Sequence, residues 1–254
     1  SGLVVSSRMS PPSRLRARWS RPRNDVVLLR HLPWGIRLGV LFLAVCIAAP
    51  VVVAYLRVRG TIGTAPTWTA FGDSAYLALR SLDVTTGHLP LVGSQSSVEG
   101  GALIMQPGPA QFYAQAPFTV WLGGDVGSLV FAGLTTAMAG VGCMWVVLRR
   151  FGMAGAVVAT GLVLAVEAQL GSRALVDSIS STHGQLPILF AAVATVMAVA
   201  GDRRLFPLAV VALSYGLQVH LSFVGYGLVL GPLLAVVLVM GLREALRGQA
   251  RWFL

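Results

Sequence analysis

The sequence predicts an all-α, polytopic membrane protein with about six transmembrane helices and further interfacial helices in its first outer loop. Three observations carry this. The 254 residues are 56% hydrophobic and 11% charged, against roughly 45–50% and about 25% in ordinary soluble domains. Mean hydropathy is +0.76. The apolar residues also fall in runs long enough to cross a bilayer, whose dry core obliges spanning backbone to hydrogen-bond within itself, as a helix does.

Residues 1–33 are rich in Ser, Pro and Arg and lack apolar periodicity, so they read as a disordered or surface-bound cytoplasmic tail. All nineteen basic residues are Arg, a usage that fits a high-GC bacterial genome, and eight of them lie in the first 37 residues against one acid, Asp25. A net charge of +10 would otherwise point to nucleic acid. Most of the remaining Arg stand at the ends of apolar runs, so the charge reports topology and lipid contact rather than a nucleic-acid partner.

The first apolar run, 34–56, has 23 residues; roughly 20 residues at about 1.5 Å each cross a core of about 30 Å. It is too long, and lacks the small-residue exit site, to be a signal peptide. The arginine-rich side before it is expected in the cytoplasm, which puts the loop 57–127 outside.

Later spans read at 128–148, 154–172, 187–201, 205–220 and 222–242. The segment 107–122 holds three prolines in 16 residues and is assigned to the outer interface rather than to a crossing. On that assignment Arg149-Arg150, Arg203-Arg204, Arg243, Arg247 and Arg251 all fall inside; a crossing would turn the first two pairs outward. Gln111, Gln115 and Thr119 recur at every fourth position as one uncharged polar stripe, with Phe112, Tyr113, Phe118 and Trp121 on other faces. Pro117 is expected to bend or break this helix. No repeat of fixed period occurs, and the Gly/Pro-broken segments do not recur in matching halves, as an inverted-repeat transporter requires.

The polar chemistry concentrates in 73–121. Two readings of Asp73 stand: an N-cap whose carboxylate accepts backbone N–H groups, with Ala75, Tyr76, Leu79 and Leu82 lining one face of the helix behind it, or a base at the water–lipid boundary, its basicity raised by partial burial. Arg80 offers paired donors to a phosphate or anchors its helix to headgroups. Asp83, His88 and Glu99 read as solvated loop residues. The turn Gln106-Pro107-Gly108-Pro109 either presents Gln106 beside the unpaired N–H groups of the following helix, where phosphate oxygens bind, or simply redirects the chain.

Further along, Glu167 is an intramembrane acid, functional by default or satisfied by Arg173. Residues 178–183 form a hydroxyl-rich outer loop. His183 and His220 lack metal-site spacing and read as hydrogen-bonded residues at span ends. Cys46 and Cys143 lie in apolar runs without CxxC spacing and read as packing residues.

Several of these residues together resemble the GT-C fold glycosyltransferases, multi-spanning enzymes that take a sugar from a polyprenyl-phosphate carrier on the outer face of the membrane. Gly72-Asp73-Ser74-Ala75 is similar to the acidic start of their first outer loop. Gln106-Pro107-Gly108-Pro109-Ala110-Gln111-Phe112-Tyr113 resembles their His-Pro-Pro or His-Pro-Gly-Pro turn, with Gln106 where histidine is usual. Asp177 through Leu186-Pro187, and Ser214 through Gln218-Val219-His220, resemble later elements of the actinobacterial branch, whose Trp-Asn-Pro is missing here. The resemblance covers roughly 34–242.

The resemblance implies inverting transfer of a sugar from a polyprenyl-phosphate donor to an envelope glycan or glycoprotein acceptor, in a bacterial inner membrane with the N-terminus cytoplasmic and the active site outside. Asp73 would be the general base. Arg80, Gln106 and Gly108 would hold the phosphate, Tyr113 the lipid tail, and Asp177, His183 and His220 the sugar pocket. No metal ligand set is expected, although the fold leaves room for a divalent cation. Two readings of other classes remain: a catalytically silent GT-C-like lipid-binding or scaffold subunit, and a lipid or glycan transporter. The chain starts without Met and ends as if entering another segment, and is expected to be the N-terminal portion of a larger protein.

Overall fold

The computed structural model describes residues 33–62, 69–95 and 105–246. The basic tail, Glu99, Arg247 and Arg251 lie outside these residues. Helix α1, Trp34–Val58, buries Ile47, Val51 and Ala54 and turns Leu41, Phe42, Val45 and Val52 outward. A soluble protein could not leave so many large apolar groups in water; facing lipid tails, they cost nothing.

Two helices follow in the first loop, α2 (Asp73–Leu82) and α3 (Ala110–Leu122). Gly123, at φ 83°, then makes a corner that only glycine takes without strain. Helix α4 runs Gly124–Leu170, 47 residues, which at about 1.5 Å per residue is more than twice a bilayer core. Gly152 (φ 72°, ψ −163°) breaks it, and the two arms fold back on each other: a Cβ added to Gly140 would lie 2.9 Å from Val163 Cγ1. The spans expected at 128–148 and 154–172 are therefore the arms of one helical hairpin.

Beyond it come α5 (Ser180–His183), α6 (Gln185–Val199), α7 (Phe206–Val219) and α8 (Val224–Leu246). Four helical stretches are long and apolar enough to cross a membrane, Trp34–Val58, Gly124–Leu170, Ser180–Val199 and Leu221–Glu244. The protein is thus an all-α membrane protein. Helix α7, with 14 residues, is shorter than a bilayer core but still joins the two ends of the bundle.

Those ends differ in chemistry. At one, Arg149 Nη2 meets Asp202 Oδ2 at 3.1 Å and Arg203 pairs with Glu244, tying the α4 kink, the α6–α7 turn and the end of α8 together; this is the arginine end. The other, the loop end, gathers α2, α3, the C-terminal end of α1, both ends of α4, and the turn after α7.

Between the ends the helices associate through small residues, since lipid tails are as apolar as leucine and give no hydrophobic drive. Ala191, Ala194 and Ala198 of α6 are buried with Ala209 and Leu213 of α7 and Leu230, Leu234 and Val237 of α8. Gly216 leaves room for Ile188, whose Cγ1 would be 2.6 Å from an added Cβ. Val40, Leu43 and Ile47 of α1 pack against Ala139, Cys143, Met144, Ala156 and Val163 of α4. Cys143 is buried, Cys46 half-buried, and both are free thiols.

The first loop corrects one expectation, that Pro117 breaks its helix. Helix α2 buries Ser74, Leu77, Ala78 and Ser81 and leaves Tyr76 and Leu79, on its apolar face, exposed. Helix α3 runs unbroken through Pro117 with Gln111, Gln115 and Thr119 buried, while Trp121 is 83% exposed. Its polar stripe points into the protein together with Phe112, while Tyr113 and Trp121 face outward. The physical reason is the same in both helices: hydroxyl and amide groups beside lipid must find partners, and here they find each other. Ser81 Oγ lies 3.0 Å from Thr119 Oγ1, and Gln115 Nε2 donates to Ser128 Oγ at 2.8 Å.

Candidate functional site

The loop end holds Asp73, Arg80, Gln106, Gly108, Tyr113, Asp177, His183 and His220, and all but Asp73 fall into two groups. One group is committed to holding the fold. Gln106 Oε1 accepts the Leu221 N–H at 2.7 Å, and Gly108 N–H donates to the Gln218 carbonyl at 3.2 Å. The Pro-Gly-Pro turn is thus clamped onto the α7–α8 turn, with Gln106 facing that turn rather than the start of α3. Gly108 lets the two turns approach closely, since an added Cβ would sit 2.6 Å from Gln218 Cγ and oblige that side chain to move. Replacing Gln106 with Ala should strand the Leu221 N–H and cost about 1–3 kcal/mol, read as a lower melting temperature in detergent.

His220 belongs to the same clamp. Its Nδ1 accepts the Ser222 N–H at 3.2 Å and lies 2.7 Å from Ser222 Oγ, so the ring caps the short helical turn Leu221–Phe223. Tyr113 Oη donates to the Pro90 carbonyl at 3.2 Å, fastening α3 to the preceding loop. Arg80 is engaged by Asp83, three residues on along the helix, which gives Asp83 the partner that the sequence did not foresee.

The other group is not satisfied. Asp177 is 2% exposed; its Oδ1 accepts the Ile179 N–H at 3.3 Å. Its Oδ2 faces Arg173 Nε at 3.4 Å, a pairing of charges without hydrogen-bond alignment, so this oxygen has no hydrogen-bond partner among the described residues. Ser178 Oγ, His183 Nδ1 and Gln115 Oε1 are likewise buried without one. His183 stands on Phe131, ring centroids 5.1 Å apart, and its Nε2 meets Tyr215 Oη at 2.6 Å. Gln111 Nε2 donates to the Ser178 carbonyl, bringing α3 to the rim of the same region. The expected hydroxyl-rich loop therefore ends in a turn of helix, α5, at the head of α6, with Ser180 and His183 buried and Ser181 exposed.

Asp73 stands apart from both. Gly72 occupies the N-cap position and Asp73 is the first residue of α2, with no side-chain cap bond, so the capping role fails. The carboxylate is exposed, so the expected partial burial fails too. Its charge still favours the positive end of the α2 dipole. Two residues before it, the Phe71 ring lies 6.0 Å from the guanidinium carbon of Arg173, whose side chain is 58% exposed. Arg173 thus links the Asp73 segment to Asp177; the sequence had paired it with Glu167.

Burial pushes the Asp177 carboxyl above its ordinary range, against the Ile179 N–H and the Arg173 charge, which pull it down. A carboxyl whose pKa is raised on folding stabilises the fold below its unfolded pKa and loses that contribution as pH rises through the folded pKa. The melting temperature should therefore fall from acid towards neutral pH, and Asp177→Asn should flatten that slope. An unchanged slope in the variant would assign the dependence to another group.

Among the described residues no three His, Cys, Asp or Glu side chains come together to hold a metal ion. The arrangement offers buried polar atoms without hydrogen-bond partners, an exposed carboxylate and a half-exposed guanidinium at one end of the bundle. No family model, curated protein or solved structure matches this chain.

Proposed function

We propose that the chain is the membrane module of a glycosyltransferase that moves a sugar from a polyprenyl-phosphate carrier to an envelope acceptor at the loop end. The observation that carries the reading is the set of buried polar atoms without hydrogen-bond partners among the described residues, Gln115 Oε1, Asp177 Oδ2, Ser178 Oγ and His183 Nδ1, which stand at the loop end on α3, the turn 171–179 and α5. Buried polar groups are normally satisfied, and sugar hydroxyls supply both donors and acceptors. The loop end is the outer face on this reading, because Arg149, Arg150, Arg203, Arg204 and Arg243 stand at the opposite end.

In the proposed reaction Asp73 takes the proton of the acceptor hydroxyl as its oxygen attacks the anomeric carbon. The bond from that carbon to the phosphate oxygen breaks, and polyprenyl phosphate leaves with the electron pair, which inverts the centre. Arg173 and Arg80 are the guanidiniums at hand for the developing phosphate charge. The outward face of α3, with Tyr113 and Trp121, suits the carrier's tail, each buried CH₂ contributing about 0.8 kcal/mol.

A photoreactive polyprenyl-phosphate sugar tests the reading. It should label peptides from α2, α3 and 171–184, and excess unlabelled polyprenyl phosphate should compete while ordinary phospholipid should not. Uniform labelling of all lipid-facing helices would contradict it. A second reading, a catalytically silent lipid-binding subunit, is favoured by Gln106, whose side chain is spent on Leu221; that subunit would bind the same probe without turning it over.

A further inference from the structure

We propose that Glu167 is a proton-binding site in the membrane interior, separate from the loop-end region and independent of the transfer reading. Glu167 lies on the second arm of α4 and is 1% exposed, and neither carboxylate oxygen has a hydrogen-bond partner among the described residues. The sequence offered Arg173 as its partner, but helix α4 ends at Leu170 and Arg173 turns to Asp177.

Apolar side chains lie beside it. An added Cβ on Gly140 of the facing arm would lie 3.7 Å from Glu167 Oε1, 2.8 Å from Ile47 Cγ2 and 2.9 Å from Val163 Cγ1. Those contacts put the carboxyl in the seam between α1 and the α4 hairpin. Ile47 is near the middle of α1, so the seam is covered at mid-membrane depth. The packed elements bring no charge to it. Helix α1 has none between Arg37 and Arg57, and the first arm of α4 none between Asp125 and Arg149. The second arm has none from Arg150 to Glu167, and α6 has no ionisable group. The titratable groups within these stretches are the thiols Cys46 and Cys143 and the phenol of Tyr55 near the end of α1.

A carboxylate in such a place has neither counter-charge nor donor, and the least costly ligand that removes its charge is a proton. To give that proton up, the seam between Ile47 and Gly140 must open to water. Proton exchange at Glu167 therefore follows separation of α1 from the α4 hairpin, and a change in pH biases that motion. Thr160, two turns back on the same arm, also has a buried hydroxyl oxygen without a hydrogen-bond partner and extends the polar line from Glu167 along the seam.

Infrared difference spectroscopy of the whole chain in lipid vesicles tests this. The chain has three glutamates, Glu99, Glu167 and Glu244, so carboxyl-labelled glutamate makes them separable. At neutral pH the spectrum should hold an isotope-shifted neutral-acid carbonyl band that Glu167→Gln removes and that Glu99→Gln and Glu244→Gln leave in place. The band should convert to carboxylate bands as the pH is raised. If Glu167→Gln does not fold, the other two variants still decide, because a band that survives both belongs to Glu167. A Glu167 that contributes only carboxylate bands at neutral pH overturns the proposal. So does a neutral-acid band that either of the other variants removes.

Discussion

Asp73→Asn should lower sugar transfer by at least about a hundredfold at equal expression, within the roughly 10²–10⁴-fold that a positioned general base contributes. Binding of the photoreactive donor should hardly change, because the amide keeps the shape of the acid and the lining groups are elsewhere. The structure sharpens this expectation by naming a rival. A base benefits from raised basicity, and burial gives that property to Asp177. Asp73 instead has access, at the head of α2 beside the Phe71–Arg173 contact. If Asp177→Asn abolishes transfer and Asp73→Asn does not, Asp177 takes the proton and Asp73 is a charge at a helix start. Loss in both variants with donor binding intact would mean that the two acids act on one reaction from opposite sides of Arg173.

The second large effect is on the fold. Gly127, in the first turns of α4, lies against the backbone of α3: an added Cβ would be 2.6 Å from Thr119 Cα and closer still to the Phe118 carbonyl. Backbone cannot rotate away as a side chain does, so Gly127→Ala must push α3 off α4. The cost should reach the upper end of the 1–3 kcal/mol typical of overpacking, about 3 kcal/mol. It would be read as a lower melting temperature in detergent and less folded protein in the membrane. Gly161→Ala, where an added Cβ meets nothing within 4 Å, is the matched control and should be neutral or slightly stabilising. Because Gln111, Gln115 and Thr119 all ride on α3, Gly127→Ala should also lose donor binding.

How much of this was legible follows from which physical constraint wrote each part of the sequence. Bilayer thickness wrote α1, α6 and α8, so counting apolar residues found them to within a few positions. It could not show that 128–148 and 154–172 form one hairpin, because Gly152 looks like any other glycine until its positive φ is seen. Periodicity put Gln111, Gln115 and Thr119 on one face but says nothing about which way that face points. In water a polar stripe turns out; next to lipid it turned in, to Ser128 and Ser81. The partner of Arg173 was open for a similar reason. Spacing allowed Glu167, but the helix stops at Leu170 and Gly171 (φ 79°) redirects the chain towards Asp177. Gln106 was legible as a turn residue and not as a clamp, since its acceptor role depends on Leu221, 115 residues away.

The most direct test of the loop-end site is turnover itself. Membranes carrying the chain are given a panel of polyprenyl-phosphate donors with labelled sugars and an envelope acceptor extract. The account predicts that label passes to the acceptor with release of free polyprenyl phosphate in equal amount, and that Asp73→Asn membranes fail to do so. Donor that binds at α2 and α3 but is never consumed, by parent or variant, would contradict it and leave the silent lipid-binding subunit as the reading.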